Sequence, residues 1–253
     1  MKLHRTFGLR KQRGFSLLEM LVAMGLLGIV VGSIFVQMEA AQQRMTTENI
    51  KVDDFQQVRD FVDQFFRDIN QIGDPNPRMF DLTGGTWSPA LQSPLINDSR
   101  FAVGLTKIEA NEIHFEGSVN GVGTVQSVEY MVNGSGTCTR CLQRSQINKQ
   151  NGDPLTGQAS ANWGTEVNDV VSNPIFKYFD VNGTQITTLP VDISTAAGAN
   201  TIATVKTIQI NLRVSDPLII DTKTGQPIEG TFEGEISLNN CTMASTGQPM
   251  SCE

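Results

Sequence analysis

Histidine is nearly missing from this chain of 253 residues; His4 and His114 are the only two. Chemistry that needs a histidine base or several histidine metal ligands therefore has little to draw on. Proline is absent before Pro75, so nothing of that kind breaks a helix in the first seventy-four residues. Positive charge is also short: 19 Lys and Arg stand against 26 Asp and Glu, for a net charge of −7. The first 14 residues hold five cations (Lys2, Arg5, Arg10, Lys11, Arg13) and no acid, so the remainder carries −12. That balance argues against a nucleic-acid surface. Cysteines are few, and the four present (Cys138, Cys141, Cys241, Cys252) lie in the second half of the chain. The length allows one or two domains. Glycine, threonine, serine and asparagine are common after residue 80, as a β-rich part with many turns requires.

What the N-terminus does have is a long apolar run. Residues 15–36 carry a single formal charge, Glu19. A helix of that length reaches roughly 33 Å at the usual rise per residue, enough to cross a hydrocarbon core. The basic flank before it is expected to stay in the cytoplasm, which places the rest of the chain outside. An ordinary secretory signal or a plain anchor would look similar, but three features oppose that reading. The basic stretch ends in Arg13-Gly14 directly before the run. The small-residue site that a secretory signal needs after its apolar run is poor at Met38-Glu39-Ala40-Ala41. An acidic side chain sits five positions into the span, where an ionised group is costly and marks function.

The stretch Arg13-Gly14-Phe15-Ser16-Leu17-Leu18-Glu19-Met20-Leu21-Val22-Ala23 resembles the cleavage and methylation motif of type IV prepilins and type II secretion pseudopilins. The resemblance implies that a prepilin peptidase cuts between Gly14 and Phe15. It implies N-methylation of Phe15, and a role for Glu19 in docking subunits through a neighbour's free N-terminal amine. Physical chemistry supports these roles. Gly14 lets a scissile backbone approach a protease closely. An amine and a carboxylate that are each expensive in lipid can neutralise one another between subunits. Ala23, Gly25, Gly28, Gly32 and Ser33 are small and allow close helix packing in lipid or in a filament core, with Gly25, Gly28 and Gly32 the main packing candidates. Incidental glycine in a flexible anchor is the alternative. Many major pilins carry a kinking proline in this span; its absence here implies a minor pilin or pseudopilin.

Residues 37–50 are polar and compatible with helix. Phe55, Val58, Val62, Phe65, Phe66, Ile69 and Ile72 then recur at spacings of three and four, against a polar face bearing Asp53, Asp54, Arg59, Asp60, Asp63, Arg67 and Asp68. Gly73 is a C-cap candidate, and Asp74-Pro75-Asn76-Pro77 stops the helix. One helix from Phe15 to Ile72 is expected, its second half offering an apolar stripe to a sheet formed by the rest of the chain.

After Pro77 the period becomes two. Strands are expected at Phe101–Leu105, Glu112–Glu116, Ser127–Asn133, Leu142–Ser145, Ile175–Asp180, Thr204–Val214 and Thr231–Leu238, with hairpin turns at Asn133-Gly134 and Asn182-Gly183. Long loops are expected around 84–98, 147–165 and 186–203. The fold class is α+β: a long N-terminal transmembrane and amphipathic helix packed on an antiparallel sheet. The expected divisions are a cleaved leader 1–14, a transmembrane polymerisation helix 15–36, its amphipathic continuation 37–73, and an extracytoplasmic β-rich part 74–253. Phe176–Gly183, followed by Val205–Leu212, is similar to the C-terminal region of PilW-like and J-type minor pilins. Val128–Val132 and Cys141–Arg144 fit the same group.

An even cysteine count in a chain with an export signal reads as two disulfides. Closing the short loop Cys241–Cys252 is worth roughly 3 kcal/mol in the chain-entropy view. A C-terminal disulfide loop also resembles the arrangement in many pilins. Cys138 and Cys141 would then form the other pair, though crossed pairing stays open. Redox and zinc readings of the four cysteines are disfavoured by context. His114 falls on the polar phase of a strand and reads as a solvated surface residue. No serine, cysteine or carboxylate pair shows nucleophilic or acid–base context, so no catalytic residue is assigned. Asp180-Val181-Asn182-Gly183-Thr184 loosely resembles the start of a calcium loop, but a hairpin turn explains it better. No cofactor or metal is expected.

The reading that results is a minor pilin in the priming or tip complex of a type IV pilus. Its expected partners are other minor pilins, the major pilin, the prepilin peptidase and the inner-membrane assembly platform. It would reside in the inner membrane, then in the pilus. The alternatives are a J-type pseudopilin of type II secretion, or a membrane-anchored extracytoplasmic enzyme or binding protein.

Overall fold

A computed structural model describes residues 16–75, 95–133, 140–220 and 225–238. The chain divides into two compact units, Met1–Ile50 and Lys51–Glu253. Helix α1 (Leu17–Asn70) contributes to both, as expected for a proline-free stretch. In the first unit it carries the span Leu17–Gln42, long and apolar enough to cross a membrane, its most apolar part unburied.

The second unit is all-antiparallel. Its strands are β1 (Leu105–Ile108), β2 (Glu112–Gly117), β3 (Gln126–Asn133), β4 (Cys141–Asn148), β5 (Trp163–Val167), β6 (Phe176–Asp180), β7 (Gln185–Ile186), β8 (Val191–Asp192), β9 (Val205–Ile220) and β10 (Pro227–Ser237). They form two sheets rather than the single one expected, in the orders β5-β4-β3-β2-β1-β8 and β10-β9-β6-β7.

The buried face of α1 in this unit is Val58, Phe61, Val62, Phe65, Ile69 and Ile72. Phe65 joins the two sheets. Its ring meets Tyr130 of β3 edge-on with centroids 5.3 Å apart and stacks on Phe176 of β6 at 5.6 Å. Phe61, three residues after Val58 and four before Phe65, belongs to this stripe as well. Phe55 does not, since it is 53% exposed. It lies instead against Gly230 of β10, where a built Cβ would approach its ring to 3.0 Å. Gly234 makes similar room for Phe66.

Asp68 corrects the helical-wheel reading more sharply. It was placed on the polar face, yet it is fully buried. Tyr130 Oη donates to its Oδ2 at 2.7 Å, and Arg144 of β4 donates to the same oxygen from Nε and Nη2 at 2.9 and 2.7 Å. Gln64 Nε2 donates to Oδ1 at 2.6 Å. A second buried pair joins Lys149 to Glu116 at 2.6 Å, both side chains wholly enclosed. Lys149 Nζ also donates to the carbonyls of Ile96 and Phe101, and Glu116 Oε2 accepts from the Val103 amide. Burial pushes the Glu116 carboxyl upward, and Lys149 opposes that shift.

The end of α1 is stitched to β2 by backbone. Gly73, at φ 74°, donates to the Glu116 carbonyl at 2.9 Å, and Ile72 bridges to Gly117. A Cβ on Gly117 would fall onto the Gln71 carbonyl oxygen.

Several boundaries moved. Only Leu105 of the expected strand Phe101–Leu105 is in a strand, because Gly104 turns the chain at φ 93°. Residues 101–103 are buried, and Ala102 donates to the Pro75 carbonyl while Val103 donates to Glu116. The expected loop 147–165 contains the start of β5. The expected loop 186–203 contains β8 and helix α2 (Ala196–Ala203), which is capped by Thr195, whose Oγ1 accepts from Gly198 N. Gly183 turns the β6–β7 hairpin at φ 76°. The turn at Gly134 lies outside the described residues.

Replacing Asp68 by Ala would leave a nearly enclosed guanidinium and a buried hydroxyl without their acceptor. The expected loss of stability is about 3 kcal/mol, from the cost of breaking a buried pair. Denaturant unfolding of the purified protein measures it; a loss below about 1 kcal/mol would show that Arg144 finds water instead.

Candidate assembly site

The first turn of α1 is closed by Ser16. Its Oγ accepts from the Glu19 amide at 3.2 Å, and its carbonyl accepts from Glu19 and Met20 at 3.0 and 3.2 Å. Ser-Leu-Leu-Glu has the spacing of a helix N-cap followed by an acid at the third position. The same spacing of Ser16 and Glu19 is visible in the sequence. Glu19 is exposed and stands in the turn where the helix dipole favours negative charge. Gly14 and Phe15, the expected cleavage and methylation positions, lie outside the described residues.

Gly25, Gly28 and Gly32 have open space where a side chain would be, with nothing within 4 Å of a built Cβ. Among the described residues no contact requires these glycines. The same segment exposes Leu17 at 82% and Ile29 at 71%. A surface this apolar needs lipid or other helices around it.

In the second unit, Cys141 opens β4, is buried and is disulfide-bonded. Cys138, Cys241 and Cys252 lie outside the described residues, and the pairing is not described.

The β2–β3 register assembles a titratable group. His114 pairs with Glu129 across the strands, and its Nε2 is 2.6 Å from Ser127 Oγ. Lys107 Nζ of β1 reaches Glu112 Oε1 at 2.8 Å and Glu109 Oε1 at 2.7 Å. Burial, then the adjacent Glu112 carboxylate, raises Glu129 to about 7. Burial, then the charge of Lys107, lowers His114 to about 4. His114 is thus a half-buried neutral residue, not the solvated one expected. The carboxyl pair Glu112–Glu129 also went unseen, because only the strand register brings residues 112 and 129 together.

The Asp180 turn has no need of an ion. Its Oδ1 accepts from the amides of Asn182 and Thr184, both at 2.8 Å, and these bonds hold its carboxyl below the usual range. Among the described residues no group of three or more His, Cys, Asp or Glu is arranged to hold a metal.

Residues 9–35 match the family model of the prokaryotic N-terminal methylation motif. That match supports a type IV pilin-like prepilin, and with it peptidase processing and pilin-type partners in general. The apolar helix beside it fits a pilin membrane anchor. Comparison with curated proteins and with solved structures gave no match.

Two opposed pH effects follow from the β2–β3 group. Glu129 titrates near 4.5 when free and about 7 in the fold, so the fold holds the extra proton between those values. Its contribution to stability therefore falls as pH rises through that window. His114 titrates at 6.5 when free and about 4 in the fold, so its contribution rises with pH between those values. Glu129→Gln should remove the fall, and His114→Asn the rise, in urea midpoints taken across each window. Unchanged slopes would sink both assignments.

Proposed function

We propose that the chain is made as a prepilin, cut between Gly14 and Phe15, methylated at Phe15, and used as a minor pilin. In this reading it takes part in priming and assembly of a type IV pilus, in a tip complex with other minor pilins. The observation that carries it is the methylation-motif match over residues 9–35, which begins within the basic leader and runs through Glu19 into the apolar span. Residues 1–14 are the leader, residues 15–36 the polymerisation helix, 37–73 its continuation, and 74–253 the exported part. The leader stays in the cytoplasm and the β-rich part faces the periplasm. The cut then turns a membrane anchor into a subunit with a new amine, and Glu19 offers the carboxylate that a neighbour's amine can meet in lipid. Gly25, Gly28 and Gly32 let neighbouring helices close in. Cys241 with Cys252, and Cys138 with Cys141, are the proposed disulfides. The role is structural and needs no cofactor.

N-terminal sequencing of the mature protein tests the first step: a chain that does not begin at Phe15 would remove the proposal. Deleting the gene and scoring both pili and secreted enzymes tests the machine it serves. Normal piliation with lost secretion would transfer the subunit to type II secretion.

Glu19→Ala should leave cleavage and folding intact while lowering co-purification with partner pilins at least ten-fold. Equal recovery would show that the carboxylate has no part in docking.

A further inference from the structure

β10 is an edge strand, paired only to β9 among the described residues. It is 11 residues long, in a protein where the other edge strands run from two to five. Its ladder with β9 fixes which backbone groups are free. Leu238 N donates to Lys206 O, and the register pairs Ile236 with Ile208 and Phe232 with Leu212. Even-numbered residues of β10 therefore bond to β9. On the other side of β9, Asn211 N donates to Ile175 O, so the odd residues of β9 face β6. The two observations agree. Glu229, Thr231, Glu233, Glu235 and Ser237 thus turn both amide and carbonyl outward, away from β9.

The side chains of those same residues are exposed, while the alternate Ile228, Phe232 and Ile236 are half-buried. The open edge therefore bears three carboxylates and no cation. Arg213 of β9 meets Glu229 at only 3.5 Å, Asn211 donates to Glu233 at 2.9 Å, and Glu235 has no partner among the described residues. Beside the edge stands Phe55, half exposed against Gly230.

An exposed edge is a hazard that proteins blunt with shortness, proline, bulges or charge. Here the strand is long, Pro227 and the single register shift sit at its beginning, and the ten residues that follow run regularly. Only charge is left, and it is all of one sign. Two copies of β10 pairing edge to edge would set glutamates against glutamates, which disfavours a self-pair. A strand with lysine or arginine at alternate positions would instead find backbone partners and opposite charge together.

We propose that the β10 edge, with Thr231, Glu233 and Glu235 at its centre, receives an edge strand of a different, basic subunit. That the partner is a subunit rests on the assembly reading above; the edge itself is tested without it.

The probe is a capped peptide alternating lysine with valine, with its glutamate counterpart as control, added to the purified full-length chain in detergent. The lysine peptide should bind and slow deuterium exchange at the amides of Thr231, Glu233 and Glu235, and the glutamate peptide should do neither. Thr231→Pro deletes an outward amide without touching the β9 ladder or the charge. It should weaken binding at least ten-fold with an unchanged Tm. Binding without protection of those amides would show simple charge attraction and overturn the proposal. Protection that grows with protein concentration in the absence of peptide would overturn it too, by showing self-pairing. Should Thr231→Pro fail to fold, the exchange measurement on the unaltered chain still decides. Failure of this test would leave the Phe15 and Glu19 tests of the assembly reading untouched.

Discussion

The second half of α1 meets the six-stranded sheet through an apolar stripe and one buried charge, and the charge does what the stripe cannot. Val58, Val62, Phe65 and Ile69 are interchangeable in kind, so a helix shifted by a turn would still bury hydrocarbon. Asp68 has no such freedom. Its oxygens are met by Gln64 from the helix itself, Tyr130 from β3 and Arg144 from β4, and a shifted helix would leave a carboxylate and a guanidinium unpaired. Buried ion clusters are poor sources of net stability but costly to break. The role that fits is specifying one register for the helix on the sheet. Phe65 can then sit between Tyr130 and Phe176 and hold the two sheets together.

How far the sequence revealed this follows from which signals are local. The proline-free helix and the strands with clean alternation, such as Glu112–Gly117 and the first half of β9, were read nearly to the residue. α2 was missed because Ala-Ala-Gly-Ala-Asn carries no amphipathic pattern; its Thr195 cap was the available clue. β5 was missed because Trp163-Gly164-Thr165-Glu166-Val167 hardly alternates. The division into two sheets could not be read, since it depends on β9 choosing β6 and β10 as neighbours. The same limit governs the site residues. Ser16 could have been found from its spacing to Glu19. The Glu112–Glu129 pair and the burial of Asp68 depend on strand register and on the angle of a helix, which one sequence does not contain.

The two units answer to different solvents. The apolar span exposes nearly every large side chain it has, and its glycines meet nothing among the described residues. The second unit encloses its core completely and sets even its buried charges in pairs. Among the described residues β10 presents the longest open edge of this unit, and the acids along it choose what company that edge can keep.

The seam where α1 ends has a different implication. The helix does not merely rest on the sheet there; Gly73 and Ile72 bond to β2 through main chain, and β2 is an interior strand. Main-chain bonds are indifferent to side-chain identity. The surrounding sequence can drift widely while the joint persists, provided that position 117 stays bare and position 73 tolerates a left-handed backbone. Two glycines, rather than any pair of side chains, are thus what this joint between helix and sheet requires.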